Sequence, residues 1–194
     1  MINATESTPL DLKTPLGNEI LSLHAGDLVT LSGSVYTARD EAHIRMKEDG
    51  IPFDPDGAVV YHCGPVVQNN RIVVAGPTTS ARMNSLTGFI LDAGVKGIIG
   101  KGGMSSVVRE QLRGRAVYLA FTGGCANLAA ARMDLEGVFY EDLGMAEAVW
   151  QIKLDHLPLV VAMDAHGGDL FAAVEQSAHE VFQRSYPTGT GTRR

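Results

Sequence analysis

Val95-Lys96-Gly97-Ile98-Ile99-Gly100-Lys101-Gly102-Gly103-Met104 sets a short apolar run against a glycine-rich turn. Flanked by turn residues, the run reads as a strand buried on both faces. The glycines after it let a backbone come close to a ligand, and Lys101 puts one compact positive charge at that mouth. The spacing is not the Gly-x-x-x-x-Gly-Lys-Ser/Thr of a nucleotide P-loop. An ordinary glycine turn with a solvent-facing lysine is the competing reading.

Similar runs recur on both sides. Leu28-Val29-Thr30-Leu31-Ser32-Gly33 follows the turn Ala25-Gly26-Asp27, and Ala58 to His62, Arg71 to Ala75, Ala116 to Ala120 and Leu157 to Ala162 are short and apolar. Between them the patterns at 37–48, 79–92, 105–113, 127–133 and 170–183 read as helical. The last sets Leu170, Phe171, Val174, Ala178, Val181 and Phe182 on one face, which is expected to be dry. Strands alternating with helices give a single α/β domain with a mixed, largely parallel sheet flanked by helices. Asp49 to Gly57, with two prolines, reads as a loop. The domain is expected over 1–186, with Thr188-Gly189-Thr190-Gly191-Thr192 in a flexible tail at 187–194.

A chain of 194 residues suits one domain with a full core. No apolar run approaches a membrane span, and Met1 to Thr14 lacks the basic start and apolar middle of a signal peptide, so a cytosolic protein is expected. A formal net charge of −6 argues against nucleic acid as a partner. An anionic ligand would need a few locally placed cations. The two cysteines, Cys63 and Cys125, are far apart and outside any Cys-x-x-Cys pair. They read as structural thiols, with no metal or cluster held by this chain.

Candidate chemistry lies at the strand ends. In Gly76-Pro77-Thr78-Thr79-Ser80-Ala81-Arg82-Met83 a strand ends at Gly-Pro and a hydroxyl-rich segment opens a helix. If that helix includes Thr78, its hydroxyl and the Arg82 guanidinium share one face and can clamp a carboxylate. The alternative is a threonine N-cap with a solvated Arg82. Arg39 and His43, one helical turn apart, offer a bidentate carboxylate ligand and a proton-transfer group, or else part of a charged helix face. Phe121 to Ala126 is a further strand-to-loop junction, with amides but no charge. His62 and the Asp164-Ala165-His166-Gly167-Gly168-Asp169 turn read as structural.

Tyr36 to His43, Gly76 to Met83, Gly100 to Met104, Tyr140-Glu141-Asp142-Leu143-Gly144 and Asp164 to Asp169, taken together, resemble the β subunit of class I fumarate hydratases. The same region occurs as the C-terminal domain of single-chain class I fumarases and as the β subunit of L(+)-tartrate dehydratase. The resemblance implies a swivelling β/α/β domain that closes on an α subunit carrying a [4Fe-4S] cluster, which acts as Lewis acid. It further implies that Arg39, Arg82 and Lys101 bind substrate carboxylates, that Thr78 is the base at carbon, and that His43 is a candidate acid or base. The expected reaction is hydration of fumarate to (S)-malate. The alternatives are dehydration of L(+)-tartrate and a non-catalytic dicarboxylate-binding module.

Overall fold

The structure, a computed structural model, describes residues 8–186. In chain order its elements are β1 Leu10–Lys13, β2 Leu28–Thr37, α1 Asp40–Asp49, β3 Val59–Tyr61, β4 Val66–Gln68, β5 Arg71–Val74, α2 Thr87–Asp92, β6 Gly97–Gly100, α3 Ser106–Leu112, β7 Val117–Ala120, α4 Ala126–Ala130, β8 Met133–Phe139, β9 Val149–Met163 and α5 Leu170–Ser185. Short 3-10 turns occupy Asn18–Ser22, Ser80–Met83 and Glu141–Leu143.

Seven strands pair in the order β1-β2-β3-β6-β7-β9-β8. The first five run parallel, and β9 is antiparallel to β7, β8 and β2. The mixed, mostly parallel sheet with flanking helices is as expected. Its closure through β2 and β9 is the added feature, because it gives the sheet an inside.

Alternation of side chains across a strand then makes two cores. Val59, Tyr61, Ile99, Val117 and Leu119 join Leu31, Val35, Ile152 and Val161 on one side. Val60, Ile98 and Tyr118, which sit opposite one another in register, face the other way against Ala42 and Met46 of α1, Ile90 of α2 and Val108 of α3.

Several local expectations change. The Arg71 run pairs with β4 in a separate hairpin, turned by Asn69 and Asn70 at φ of 49° and 58°. The segment read as one helix from 79 to 92 is a 3-10 turn followed by α2, with Thr87 Oγ1 donating back to the Met83 carbonyl at 2.8 Å. The stretch read as helical to Met133 stops at Ala130, and Met133 begins β8. The face of α5 expected to be dry is uncovered: no residue of the helix is buried, and Val181 and Phe182 are 54% and 60% exposed. The expected tail at 187–194 lies outside the described residues.

The Asp164 turn is as read. Its carboxylate accepts from the amides of Ala25, His166 and Gly168 at 2.7 to 2.8 Å, tying the end of β9 to the approach to β2. Burial works to raise this carboxyl, but the three amides together hold it below the usual carboxylate range. Such a group stabilises the fold above its unfolded pKa and loses that contribution as pH falls through its folded value. Asp164→Asn is expected to cost about 1–3 kcal/mol in urea unfolding at pH 7. The gap to the wild type should narrow below about pH 4, near the unfolded carboxyl pKa.

Candidate active site

The parallel strands β2, β3, β6 and β7 end at one edge of the sheet, the edge where open α/β sheets bind ligands. There the chain from Pro77 to Ser80 threads between the ends of β3 and β6. The Thr78 amide donates to the His62 carbonyl at 2.6 Å, the Lys101 amide to the Thr78 carbonyl at 3.3 Å, and the Ser80 amide to the Lys101 carbonyl at 3.0 Å. Isolated bridges join Cys63 to Pro77 and Thr79 to Lys101. Thr78 and Lys101 are thereby fixed on adjacent extended segments.

Helical spacing is not what relates Thr78 to Arg82. The turn begins only at Ser80, its N-cap residue Thr79 is extended and makes no side-chain cap bond, and Thr78 lies before it, between the bridged residues Pro77 and Thr79. Arg82 instead reaches across to α1. Its Nε donates to Asp40 Oδ1 at 3.2 Å and its Nη2 pairs with Asp40 Oδ2. Arg39, just before α1, is extended, and its Nε lies 3.2 Å from Glu147 Oε1. The other Glu147 oxygen accepts from the Glu41 amide at 3.1 Å. A Cβ on Gly64 would stand 2.9 Å from Arg39 Cδ, so the absence of a side chain there lets the arginine lie across the backbone.

Lys101 is exposed, with its stem packed near Gly123, where an added Cβ would be 3.2 Å from Cδ. Among the described residues it has no carboxylate at ion-pair distance. Gly123, within the Phe121 to Ala126 stretch read from sequence as an uncharged junction, therefore packs against the lysine stem.

Arg39 and His43 part company. The His43 ring is 0% exposed, and its Nδ1 donates to the Arg39 carbonyl at 2.8 Å. Burial lowers its pKa, against smaller upward effects of that carbonyl and of Asp40. The His62 ring stands edge-on to it at 5.4 Å between centroids and is pushed well below its ordinary value by burial and by His43. Both imidazoles are neutral at neutral pH.

Cys63 is buried, which raises its thiol to about 12, and Cys125 is half-buried beside the Thr122 hydroxyl. Among the described residues no group of three or more His, Cys, Asp or Glu could hold a metal ion. A cluster held by three thiolates does not fit this donor set.

A cleft of about 890 Å³ lies behind the Thr122 loop. It is walled mainly by apolar residues such as Leu28, Phe121, Leu157 and Leu159, and contains none of Arg39, His43, Thr78, Arg82 or Lys101. Volume and chemistry disagree: an anionic ligand would need the cations, which the walls of this cleft lack apart from Arg132. Sequence reading missed the partners Asp40 and Glu147 and the buried Ser80 and Tyr118. Ser80 lay in plain view inside the hydroxyl-rich segment.

Two arginines, a lysine and a threonine thus stand at one strand edge, side chains whose chemistry suits an anionic ligand. The chain belongs to the Fumarase C-terminus family, whose model matches residues 2–174. It is 39% identical over 176 residues to the putative L(+)-tartrate dehydratase subunit beta of Methanocaldococcus jannaschii, covering 84% of this chain and 90% of the relative. It is likewise 39% identical over 172 residues to the L(+)-tartrate dehydratase subunit beta of Escherichia coli, covering 83% and 86%. It is 35% identical over 185 residues to a putative fumarate hydratase class I of Geobacillus stearothermophilus, covering 91% of this chain but 36% of that longer protein.

The Arg82 side chain is 47% exposed and that of Asp40 25%, which makes their ion pair a weak one. Asp40→Asn is expected to change stability by less than about 1 kcal/mol, read as a small shift in Tm.

Proposed function

We propose that this chain is the β subunit of a two-subunit hydro-lyase that hydrates fumarate to (S)-malate, working with an α subunit that carries a [4Fe-4S] cluster. The cluster would supply Lewis acidity at the substrate's oxygen atoms. Arg82, Arg39 and Lys101 hold the two carboxylates, and Thr78 gives the proton to carbon in the hydration and takes it back as base in the reverse dehydration. A threonine hydroxyl is a poor base alone, so a carboxylate of the partner must activate it. His43, a candidate acid or base by resemblance, reaches the substrate only through Arg39, and its place in this reading is to hold the Arg39 turn.

The observation that carries the reading is the insertion of Pro77 to Ser80 between β3 and β6, which aligns Thr78 with Lys101 while Arg82 leans on Asp40 next to Arg39. A partner at this edge is supported by α5. An added Cβ on Gly103 would lie 3.6 Å from the Phe171 ring, so the uncovered apolar stripe starts beside the Lys101 loop. The names of the two 39% identical relatives, each a subunit beta, point the same way. No helix among the described residues is long and apolar enough to cross a membrane, and the reading places the complex in the cytosol.

Dehydration of L(+)-tartrate is the second reading, favoured by the higher identity to the tartrate dehydratase chains and by their similar length. Anaerobic assay of the reconstituted pair with fumarate, mesaconate and tartrate decides between them. Tight dicarboxylate binding by the isolated chain, with no turnover in any complex, would instead make it a binding module.

Thr78→Ala is expected to lower kcat by about 100-fold or more with little change in KM, whereas Arg82→Ala raises KM as well. Near wild-type kcat in an assembled Thr78→Ala complex would remove the base assignment. Val174→Asp combined with Phe182→Asp should leave the isolated chain folded by circular dichroism but prevent co-purification with the α subunit.

A further inference from the structure

Beneath Thr78 and Lys101 lie three fully buried polar side chains, His62, Ser80 and Tyr118. The Tyr118 hydroxyl is 2.6 Å from the Gly102 carbonyl, which can only accept, so the phenolic hydrogen points there. Ser80 Oγ is 3.1 Å from the same phenolic oxygen. With that hydrogen already used, Ser80 must be the donor of this second bond. The serine oxygen is then free to accept, and the group 2.8 Å away is His62 Nδ1. His62 therefore carries its hydrogen on Nδ1. The chain of donors runs His62 to Ser80 to Tyr118 to the Gly102 carbonyl, and every hydrogen in it has one acceptor.

This order also accounts for the other end of the ring. His62 Nε2 has no partner among the described residues. Because burial keeps the ring neutral, it is a bare lone pair, and no buried N–H is stranded.

The chain spans the two segments that matter. The His62 carbonyl receives the Thr78 amide, the Ser80 amide binds the Lys101 carbonyl, and Gly102 directly follows Lys101. A Cβ at position 100 would collide with the Ser80 hydroxyl, which gives the first glycine of Gly100-Lys101-Gly102-Gly103 a specific task.

We propose that Ser80 is a positioning residue that sets Thr78 against Lys101, acting through His62 held as its Nδ1–H tautomer and through Tyr118. The proposal rests on the reading of Thr78 and Lys101 as site residues, and its test separates the two.

In the reconstituted complex, Ser80→Ala and Tyr118→Phe should each lower kcat about 10- to 100-fold while KM stays within about threefold, as expected when reacting groups are misplaced by a fraction of an ångström to an ångström. Nitrogen-15 NMR of the isolated labelled chain should find His62 with its proton on Nδ1 at neutral pH. In Ser80→Ala that preference should be lost, and the Thr78 and Lys101 amide resonances should move. A wild-type His62 protonated on Nε2, or a Ser80→Ala complex with kcat within twofold of wild type, would overturn the proposal. If Ser80→Ala does not fold, Tyr118→Phe and the wild-type tautomer decide. If the wild-type complex turns over none of the three dicarboxylates, the functional reading fails, and the NMR arm alone judges the positioning.

Discussion

The antiparallel pairing of β2 with β9, from Leu28 opposite Val160 to Tyr36 opposite Gln151, turns an open sheet into a closed one. Without it β2 and β9 would each present unpaired amides and carbonyls, and the core behind Tyr61 and Leu119 would lack a wall. The pairing has to bend, and it does so at a register shift between Leu31 and Gly33. Gly33 has a φ of 102°, and a Cβ there would collide with Thr14. The far end of the same pairing builds part of the site. Thr37 closes β2 and its hydroxyl accepts from the Trp150 amide at 2.9 Å, so the residues just beyond each strand end meet. Arg39 follows β2 by two positions, Glu147 precedes β9 by two, and they form an ion pair.

That origin explains the state of the cations. Arg39 and Arg82 each lean on a carboxylate of the same chain, at partly exposed positions where such pairs are worth little. The pairing restricts each guanidinium to one direction and leaves it replaceable by an incoming carboxylate at small net cost. Lys101, with no such partner among the described residues, offers the site a charge that needs no exchange. The dianion site proposed on a chain of net charge −6 requires only that the local balance at one sheet edge differ from the global one.

Legibility in the sequence followed the physics of each element. Strands buried on both faces announced themselves as apolar runs, so Val59 to Tyr61, Gly97 to Gly100 and Val117 to Ala120 were found. The strand at Met133 and the first half of β9 were not, because Asp134, Glu136, Lys153 and Asp155 interrupt the runs on an exposed face. The five candidate site residues were visible as types in motifs, but their relations were not. Thr78 and Arg82 looked like a helical pair, whereas tertiary insertion between two strand ends relates Thr78 to Lys101 instead. No local pattern encodes Asp40 or Glu147 as partners, since both pairings depend on sheet closure and on the path of the loop after β5. The apolar stripe of α5 was legible, and its partner was not, because nothing in the described fold covers it.

The buried polar groups under the site follow from the same closure. Tyr118 points to the helix side of β7 because Val117 and Leu119 point inward, and this parity fixes where its hydroxyl emerges. A phenol buried there must find an acceptor, or a desolvated hydroxyl would cost on the order of 1–3 kcal/mol. The Gly102 carbonyl is available only because the glycine turn brings it over the end of β7. Ser80 fits beneath that turn only because residue 100 has no side chain. The glycine-rich loop that reads from sequence as a ligand cradle therefore has a second requirement, imposed from below: it must close over a serine, a histidine and a tyrosine whose hydrogens have nowhere else to go.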